Sequence, residues 1–351
     1  MMKQDIKSLY PEELVPVVRE MGGKDFQGKQ LFQWLHQKQE DSYESMTNLS
    51  KDMRGQLKER WPLLVLEPEN TQISALDGTR KYLYAMEDGQ KVESVWMQYQ
   101  HGDSVCISSQ AGCRMGCRFC ASAIGGLVRN LTAGEMLEQV YAAGRAAGRR
   151  VSHVVVMGTG EPLDNYSQLV RFIRILSHEQ GMNMSQRNIT VSTCGIVPQI
   201  FELAKEKLQI TLALSLHGAT DEKRQALMPI AKKYSLAEVM EACDFYFQNT
   251  GRRITYEYSL IGGVNDTDED AAQIAGLLRR RNCHLNLIPV NPVEERKFQP
   301  PAGKDADKFK IKLEKYGINV TIRRKMGRDI DGACGQLRRR FSAQREAERE
   351  K

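Results

Sequence analysis

From Ser104 onward the chain alternates short apolar runs with amphipathic stretches, and this alternation restricts the available folds more than any other feature. The runs are "SVCISSQ", "HVVVMG", "NITVST", "ITLALSL", "RITYEYSL" and "HLNLIPV". Between and after them fall helical spacings such as Leu169/Phe172/Ile173/Leu176, Leu236/Val239/Met240/Cys243 and Ala271/Ile274/Ala275/Leu278. Six β-α units in a row predict a parallel sheet with right-handed crossovers, either open and doubly wound or an incomplete barrel. A final strand, "NVTIRR", leads into the charged end "AQREAEREK".

Upstream the rhythm differs. "KQLFQWLHQK" and "NLSKDMRGQLKERW" carry apolar residues at helical spacing, and two Asp-Gly turns, Asp77-Gly78 and Asp88-Gly89, mark β-hairpins. The expected organisation is a helical module over 1–60, a β-hairpin extension over 61–103, an α/β core over 104–325, and a C-terminal segment over 326–351. The first module, with Lys24, Lys29, Trp34 and Lys38 but no group of chemical side chains, is expected to bind RNA rather than to catalyse.

The 351 residues carry a net charge of +6, with basic residues bunched in "RRRNCH", "TIRRKMGR" and "QLRRRFSAQRE". Such bunching suits a polyanionic partner, although solvated helix faces can look alike. No apolar run is long enough to span a bilayer, and "MMKQDIKSLYPEELV" lacks a signal-peptide core. A cytoplasmic chain without a membrane partner is expected. There thiols stay reduced, so cysteines point to metal or chemistry rather than to structural disulfides.

Polar residues recur where strands end: Cys113, Cys117 and Cys120 after the first, Gly160-Glu161 after the second, Ser192 in the third, Ser215-Leu216-His217 at the fourth, Asn291 after the sixth. Ligands bind at the C-terminal strand ends of barrels and doubly wound sheets alike. "CRMGCRFC" sets three cysteines at C-x3-C-x2-C with no fourth ligand nearby. A structural zinc site or a ferredoxin-type cluster wants four ligands. Three thiolates on a four-iron cluster leave one position open to a substrate; zinc with a distant fourth ligand, or unligated core cysteines, are the plainer readings.

This spacing ahead of β-α units resembles the radical S-adenosylmethionine (SAM) superfamily, and "MGTGEP" looks like its glycine–glutamate–proline segment. The resemblance implies a radical SAM core, a partial (βα)6 TIM-like barrel. It narrows at "GRDIDGACGQL", "SVCISSQAGC", "TVSTCG", "LSLHG", "MPI" and "NLIPVNP", which are similar to the RlmN/Cfr family of dual-specificity RNA methyltransferases from about Met21 to Leu337.

That resemblance implies a [4Fe-4S] cluster on Cys113, Cys117 and Cys120, and a SAM pocket lined by Gly160, Glu161, Ser192, Ser215, Leu216, His217 and Asn291. It makes Cys334 the methyl carrier, Cys106 the resolving thiol and Glu93 the proton acceptor. Two SAM molecules would be used per turnover. Cys334 takes a methyl group from one. The other supplies the radical that removes hydrogen from that methyl, and the methylene radical adds to adenine. Attack by Cys106 on the Cys334 sulfur then frees the RNA and leaves a Cys106–Cys334 disulfide. The chemistry suits the roles: an amidine-like C2 or C8 cannot attack the SAM methyl, whereas a thiolate is a good nucleophile.

The implied substrate is an adenosine in the peptidyl-transferase region of 23S rRNA, with the adenosine 3′ of the anticodon in some tRNAs left open. Pro162 in "MGTGEP" favours C2, as in one branch of the family, over the C8 methylation of the other. Expected partners are a one-electron donor such as flavodoxin and a thiol reductant that resets the disulfide, the enzyme acting as a monomer. A radical SAM activase or sulfur-inserting enzyme is disfavoured by the placement of Cys106 and Cys334. An RNA-binding protein with a structural metal is the non-enzymatic reading. Taken singly, Cys106 reads as a core residue, Glu93 as a solvated charge and His217 as a buried histidine. Cys194, Cys243 and Cys283 carry no assigned role.

Overall fold

The structure is a computed structural model that describes residues 5–293, 295–330 and 337. Three helices open the chain: α1 (Pro11–Glu20), α2 (Asp25–His36) and α3 (Lys51–Arg60). Pro11 starts α1 where its missing N–H costs nothing, and Ser50 caps α3 by accepting from the Met53 N–H at 3.2 Å. Four strands follow in a meander: β1 (Pro68–Ile73), β2 (Arg80–Ala85), β3 (Lys91–Tyr99) and β4 (Gly102–Ile107). All pair antiparallel with their neighbours. Both Asp-Gly sequences lie in hairpin turns, with Gly78 and Gly89 at φ of 70° and 79°. The turn between β3 and β4, closed by the Tyr99–Gly102 pair, has no such signature and escapes a reading of the sequence.

β4 is also the first strand of the parallel part. Beyond a small β5 (Gln110–Gly112) and β6 (Leu127–Asn130) pair come α4 (Ala133–Ala147), β7 (His153–Val156), α5 (Tyr166–Leu176), β8 (Ile189–Thr193), α6 (Val197–Lys205) and β9 (Thr211–Ser215). They are followed by α7 (Asp221–Leu227), α8 (Leu236–Thr250), β10 (Ile254–Leu260), α9 (Asp268–Leu278), β11 (Cys283–Pro289), α10 (Asp305–Lys315) and β12 (Val320–Ile322). The main sheet runs β1-β2-β3-β4-β7-β8-β9-β10-β11-β12, parallel from β4 onward. The six β-α units are therefore present, and β12 adds a seventh parallel strand. The sheet curls: Val95 and Cys106 at one side of the parallel part line the same cavity as Ile288 and Pro289 near the other.

Alternation along the strands separates the two faces. Val154, Val156, Ile189, Val191, Leu212, Leu214, Tyr256, Tyr258, Leu285 and Leu287 are buried in one apolar core with the helices. The register sets Thr190, Ser192, Glu257, Asn286 and Thr321 on the opposite, interior face with Cys106.

The N-terminal helices share that core, through residues such as Ile6, Leu31, Phe32 and Leu35. Polar ties fix the seam. The fully buried Lys7 ammonium donates to a Glu138 carboxylate oxygen at 2.5 Å and to the Leu64 carbonyl at 2.7 Å, so this buried charge is compensated. His36 packs between Phe32 and α4, with Nδ1 3.0 Å from the Tyr141 hydroxyl. Trp34, expected as an RNA-facing aromatic, is buried, with its indole N–H donated to Asn48 and Lys38 over its ring at 3.3 Å. Its position on the apolar stripe of α2 explains the correction. Lys24, Lys29 and Lys38 are exposed.

Burial lowers the His36 pKa to about 3 from its usual 6.5, with the Lys7 charge adding to the effect. The ring is therefore neutral in the fold, while the unfolded chain takes up a proton below pH 6.5. Stability should fall as pH drops through that interval, by about 1.4 kcal/mol per pH unit for this one group. His36→Phe is expected to flatten the urea-denaturation stability profile between pH 6 and 4 by that slope; an unchanged slope would mean that His36 is protonated in place.

Candidate active site

Three contacts pin the cysteine loop to the C-terminal strand ends. Arg114 pairs with Asp164, just after the Gly160-Glu161-Pro162 turn. The Arg118 N–H donates to the Leu227 carbonyl of α7 at 2.9 Å. The Phe119 ring meets the His217 ring edge-on at 4.8 Å, after β9. Glycine is required beneath the loop: at Gly112, φ 86°, a Cβ would lie 2.1 Å from the Gly126 carbonyl oxygen.

The three thiols sense one another. Burial, then the charges of Cys120 and Glu161, push Cys113 up to about 12, and burial with Cys120 and Cys113 raises Cys117 further. Three thiolates so placed require a cationic centre. Among the described residues no group of three His, Cys, Asp or Glu converges closely enough to hold a single metal ion. Three soft thiolate donors on one loop are the ligand type that iron–sulfur clusters use. Cys194 is buried beside the loop in an apolar group with Leu227, Met228 and Ile261, packed against Cys117 and Phe119.

Glu161 caps the short turn after β7. One carboxylate oxygen accepts from the Leu163 N–H at 3.0 Å and the other from the Cys194 N–H at 2.7 Å. Burial raises its pKa, and the bonds from Cys194, Thr193 and Leu163 work against that rise. Gly160 has φ 115°, and a Cβ there would meet the Ser109 hydroxyl at 2.6 Å, so the residue is needed for close packing of β5 against the turn. His217 takes the left-handed conformation, φ 55°, and its Nδ1 accepts from the Ser259 N–H at 2.9 Å. Burial lowers its pKa to about 3, so the ring is neutral with its proton on Nε2.

Ser192 and Ser215 are half-buried on the interior face. Leu216 departs from the expectation: its side chain is wholly buried in the outer core, because the residue after Ser215 falls on the opposite face. Its N–H donates to Glu257 and its carbonyl accepts from Arg224 and Gly218, so it holds the strand end.

Cys106, Glu93 and Asn291 belong to a second part of the interior. A cavity of about 400 Å3 is lined by Val95, Met97, Cys106, Asn291, Ile330 and the basic run Arg323–Lys325 with Arg328. Cys106 opposes Val95 across the antiparallel pair, and Glu93 lies two residues from Val95 on the same face. Glu93 is thus a diagonal neighbour of Cys106, roughly 7–8 Å away. It is not a solvated charge: it is buried and ion-paired with Lys81 at 3.1 Å, itself fully buried. Cys334 lies outside the described residues.

Sequence reasoning missed three interior groups. Glu257 is buried and accepts from the Asn286 amide at 2.8 Å, and burial raises its pKa. The polar alternation of "ITYEYSL" and "HLNLIPV" is the signal that could have revealed both. Arg224, fully buried on α7, donates to the carbonyls of Cys194, Leu216 and Ser215 at 2.7, 3.2 and 3.3 Å, clamping the ends of β8 and β9 together. No local pattern distinguishes it from a surface arginine.

The curled parallel sheet with a pinned cysteine loop at its strand ends defines a radical SAM enzyme, and residues 107–275 match the Radical SAM superfamily. Residues 4–62 match the Ribosomal RNA large subunit methyltransferase N-terminal domain. The chain is 58% identical over 337 residues to a probable dual-specificity RNA methyltransferase RlmN of Lachnospira eligens, covering 96% of each. A protein of the same name from Lachnoclostridium phytofermentans is 54% identical, covering 97% of this chain and 96% of that one. The crystal structure of a radical SAM methyltransferase from Sphaerobacter thermophilus superimposes with a TM-score of 0.91 at 43% identity, over 95% of this chain and 99% of that chain. The chain belongs to the RlmN family of dual-specificity RNA methyltransferases. Its cofactors are those of the superfamily, a [4Fe-4S] cluster and SAM. No helix among the described residues is long and apolar enough to cross a membrane.

Arg224→Lys keeps the charge but cannot bridge three carbonyls. SAM binding measured by calorimetry should weaken roughly ten-fold, the equivalent of about 1.4 kcal/mol, with iron content unchanged. Wild-type affinity in the variant would show that the clamp does not shape the pocket.

Proposed function

We propose that this RNA methyltransferase modifies C2 of an adenosine in the peptidyl-transferase region of 23S rRNA through a methyl group carried on Cys334. The observation that carries the reading is the shared cavity: Cys106 and Ile330, four residues before Cys334, line the same space, with Glu93 on the same strand face as Cys106 and basic side chains around it. A residue spans at most about 3.6 Å, so Cys334 has its place within roughly 14 Å of Ile330.

Cys113, Cys117 and Cys120 would hold the cluster, with Glu161, Ser192, Ser215, His217 and Asn291 available for SAM. When bound, the cluster would supply the electron that turns one SAM molecule into the radical that takes a hydrogen atom from the methyl on Cys334, and would take one electron back from the ring adduct. The chain's own residues do the rest. The Cys334 thiolate attacks the methyl carbon of another SAM molecule, forming a thioether and releasing S-adenosylhomocysteine. Once the methyl carbon has added to the adenine ring, Glu93 takes the proton lost from C2. Lys81 offsets the charge that Glu93 must carry when buried. Cys106, giving up its thiol proton, then attacks the Cys334 sulfur and forms a disulfide. The electron pair of the broken carbon–sulfur bond stays on the former methylene carbon, which takes a proton to become the product methyl. A thiol reductant resets the pair, and a one-electron donor such as flavodoxin serves the cluster. Arg323, Arg324, Lys325 and Arg328 offer phosphate contacts at the cavity mouth. Pro162 favours C2, and a tRNA adenosine is a second target consistent with the relatives' dual-specificity name.

The two thiols should fail differently. Cys334→Ala lacks the carrier and leaves RNA unmodified and free. Cys106→Ala completes every step up to addition and accumulates a covalent protein–RNA adduct, seen as a denaturation-resistant, nuclease-sensitive gel shift. Wild-type turnover by Cys106→Ala, or an adduct from Cys334→Ala, would overturn the roles. Mass spectrometry of the RNA locates the methyl on C2 or C8.

A further inference from the structure

One buried side chain joins the cysteine loop to the turn that carries Glu161. Gln110 opens β5, three residues before Cys113, and is wholly buried. Its amide oxygen accepts from the Glu161 N–H at 2.8 Å. Its amide nitrogen donates to Asp164 Oδ2 at 2.9 Å and, across to β6, to Asn130 Oδ1 at 2.8 Å. The same Asp164 oxygen accepts from Arg114 Nε at 2.9 Å, and Arg114 directly follows Cys113. A backbone N–H can only donate and a carboxylate can only accept, so these partners fix which way the amide faces. The main chain adds to the contact. The Gln110 N–H donates to the Thr159 carbonyl at 3.2 Å, and a Cβ at Gly160 would lie 2.7 Å from the Gln110 Cβ.

The turn from Glu161 to Asp164 is thus held at both ends by a single amide, and Asp164 is also where the cysteine loop is tied down. Arg114 alone fixes that tie poorly: its side chain is 60% exposed, and ion pairs open to water hold little. Gln110 supplies the buried donor to the shared oxygen. Bonds from the Leu163 and Cys194 N–H groups then aim the two Glu161 carboxylate oxygens, so the carboxylate lies where the turn lies. We propose that Gln110 is a positioning residue that sets the Glu161 carboxylate in register with the cysteine loop, ready for the amino group of SAM. The proposal rests on the reading of Glu161 as a SAM residue. With both amide hydrogens engaged and its side chain wholly buried, Gln110 acts through Glu161 and Asp164 and not on SAM itself. Gln110→Glu keeps an acceptor for the Glu161 N–H but sets a second carboxylate against Asp164 with no hydrogen between them. Adding Asp164→Asn puts the donor on the other side of that bond and restores the local charge. Asn130 can turn its amide to donate in place of accepting.

The test measures affinity by calorimetry on the holoenzyme, for SAM and for 5′-methylthioadenosine, which keeps the nucleoside but has no amino acid part. Gln110→Glu should weaken SAM roughly ten-fold and leave 5′-methylthioadenosine unchanged, because the loss falls on the amino group. Adding Asp164→Asn should return SAM to within about two-fold of wild type, a coupling that independent sites would not show. Iron content should match wild type in both variants, since Arg114 and the main-chain contacts of the loop remain. Equal weakening of both ligands would mean a general loss of structure and overturns the proposal. Wild-type SAM affinity in Gln110→Glu overturns it too, as does failure of Asp164→Asn to rescue. Glu161→Gln separates the two readings. It should weaken SAM and spare 5′-methylthioadenosine. Wild-type SAM affinity in Glu161→Gln would defeat the placement of Glu161 at SAM, and this role of Gln110 with it. A weakened Glu161→Gln beside an unaffected Gln110→Glu would defeat the role of Gln110 alone.

Discussion

A parallel strand turns successive side chains to opposite faces, and here that parity decides what each residue can do. The outward set, Val154 through Leu287, is apolar and buried under the helices in one continuous core. The inward set carries Cys106, Ser192, Glu257, Asn286 and Thr321 on neighbouring strands in register. The helices supply most of the burial, so the interior face is released from packing and can hold polar groups. β3 obeys the same rule: Val92 enters the core while Glu93, Val95 and Met97 face inward. Leu216 shows its strictness, since one residue beyond Ser215 the side chain is lost to the core.

Polar groups placed inside must be compensated, and three of them show how. Lys81 meets Glu93, Asn286 meets Glu257, and backbone N–H groups meet Glu161. Burying such groups gains little stability relative to apolar packing, and losing one partner strands the other. Their concentration on one face of an otherwise apolar sheet is what makes that face the candidate site. Arg224 belongs to the same scheme, spending its donors on carbonyls of two adjacent strand ends.

Much of this was legible in the sequence, and the exceptions have physical causes. Local periodicity exposed the six β-α units, and C-x3-C-x2-C exposed the loop, because both signals are short-range. Trp34 misled because an aromatic beside lysines looks like a stacking platform, whereas its place on the apolar stripe of α2 buries it. Glu93 read as a solvated charge because its partner Lys81 sits on a different strand. Glu257 and Asn286 stand out as polar positions in the alternation of their strands, but that they face each other only the register reveals. Arg224 is one of four charged residues in "DEKRQAL", and nothing local says that it alone among them is buried. The grip of Ser74 and Asp77 on residues 327–329 joins distant parts of the chain, which no window of sequence can show.

The antiparallel hairpins acquire their purpose from the same geometry. A partial barrel needs only its parallel strands to build the strand-end site, yet the sheet continues through β3, β2 and β1. β3 brings Glu93 beside Cys106, β2 brings Lys81 to Glu93, and the turn between β2 and β1 reaches the segment that leads to Cys334. Each added strand thus places one further group around the cavity.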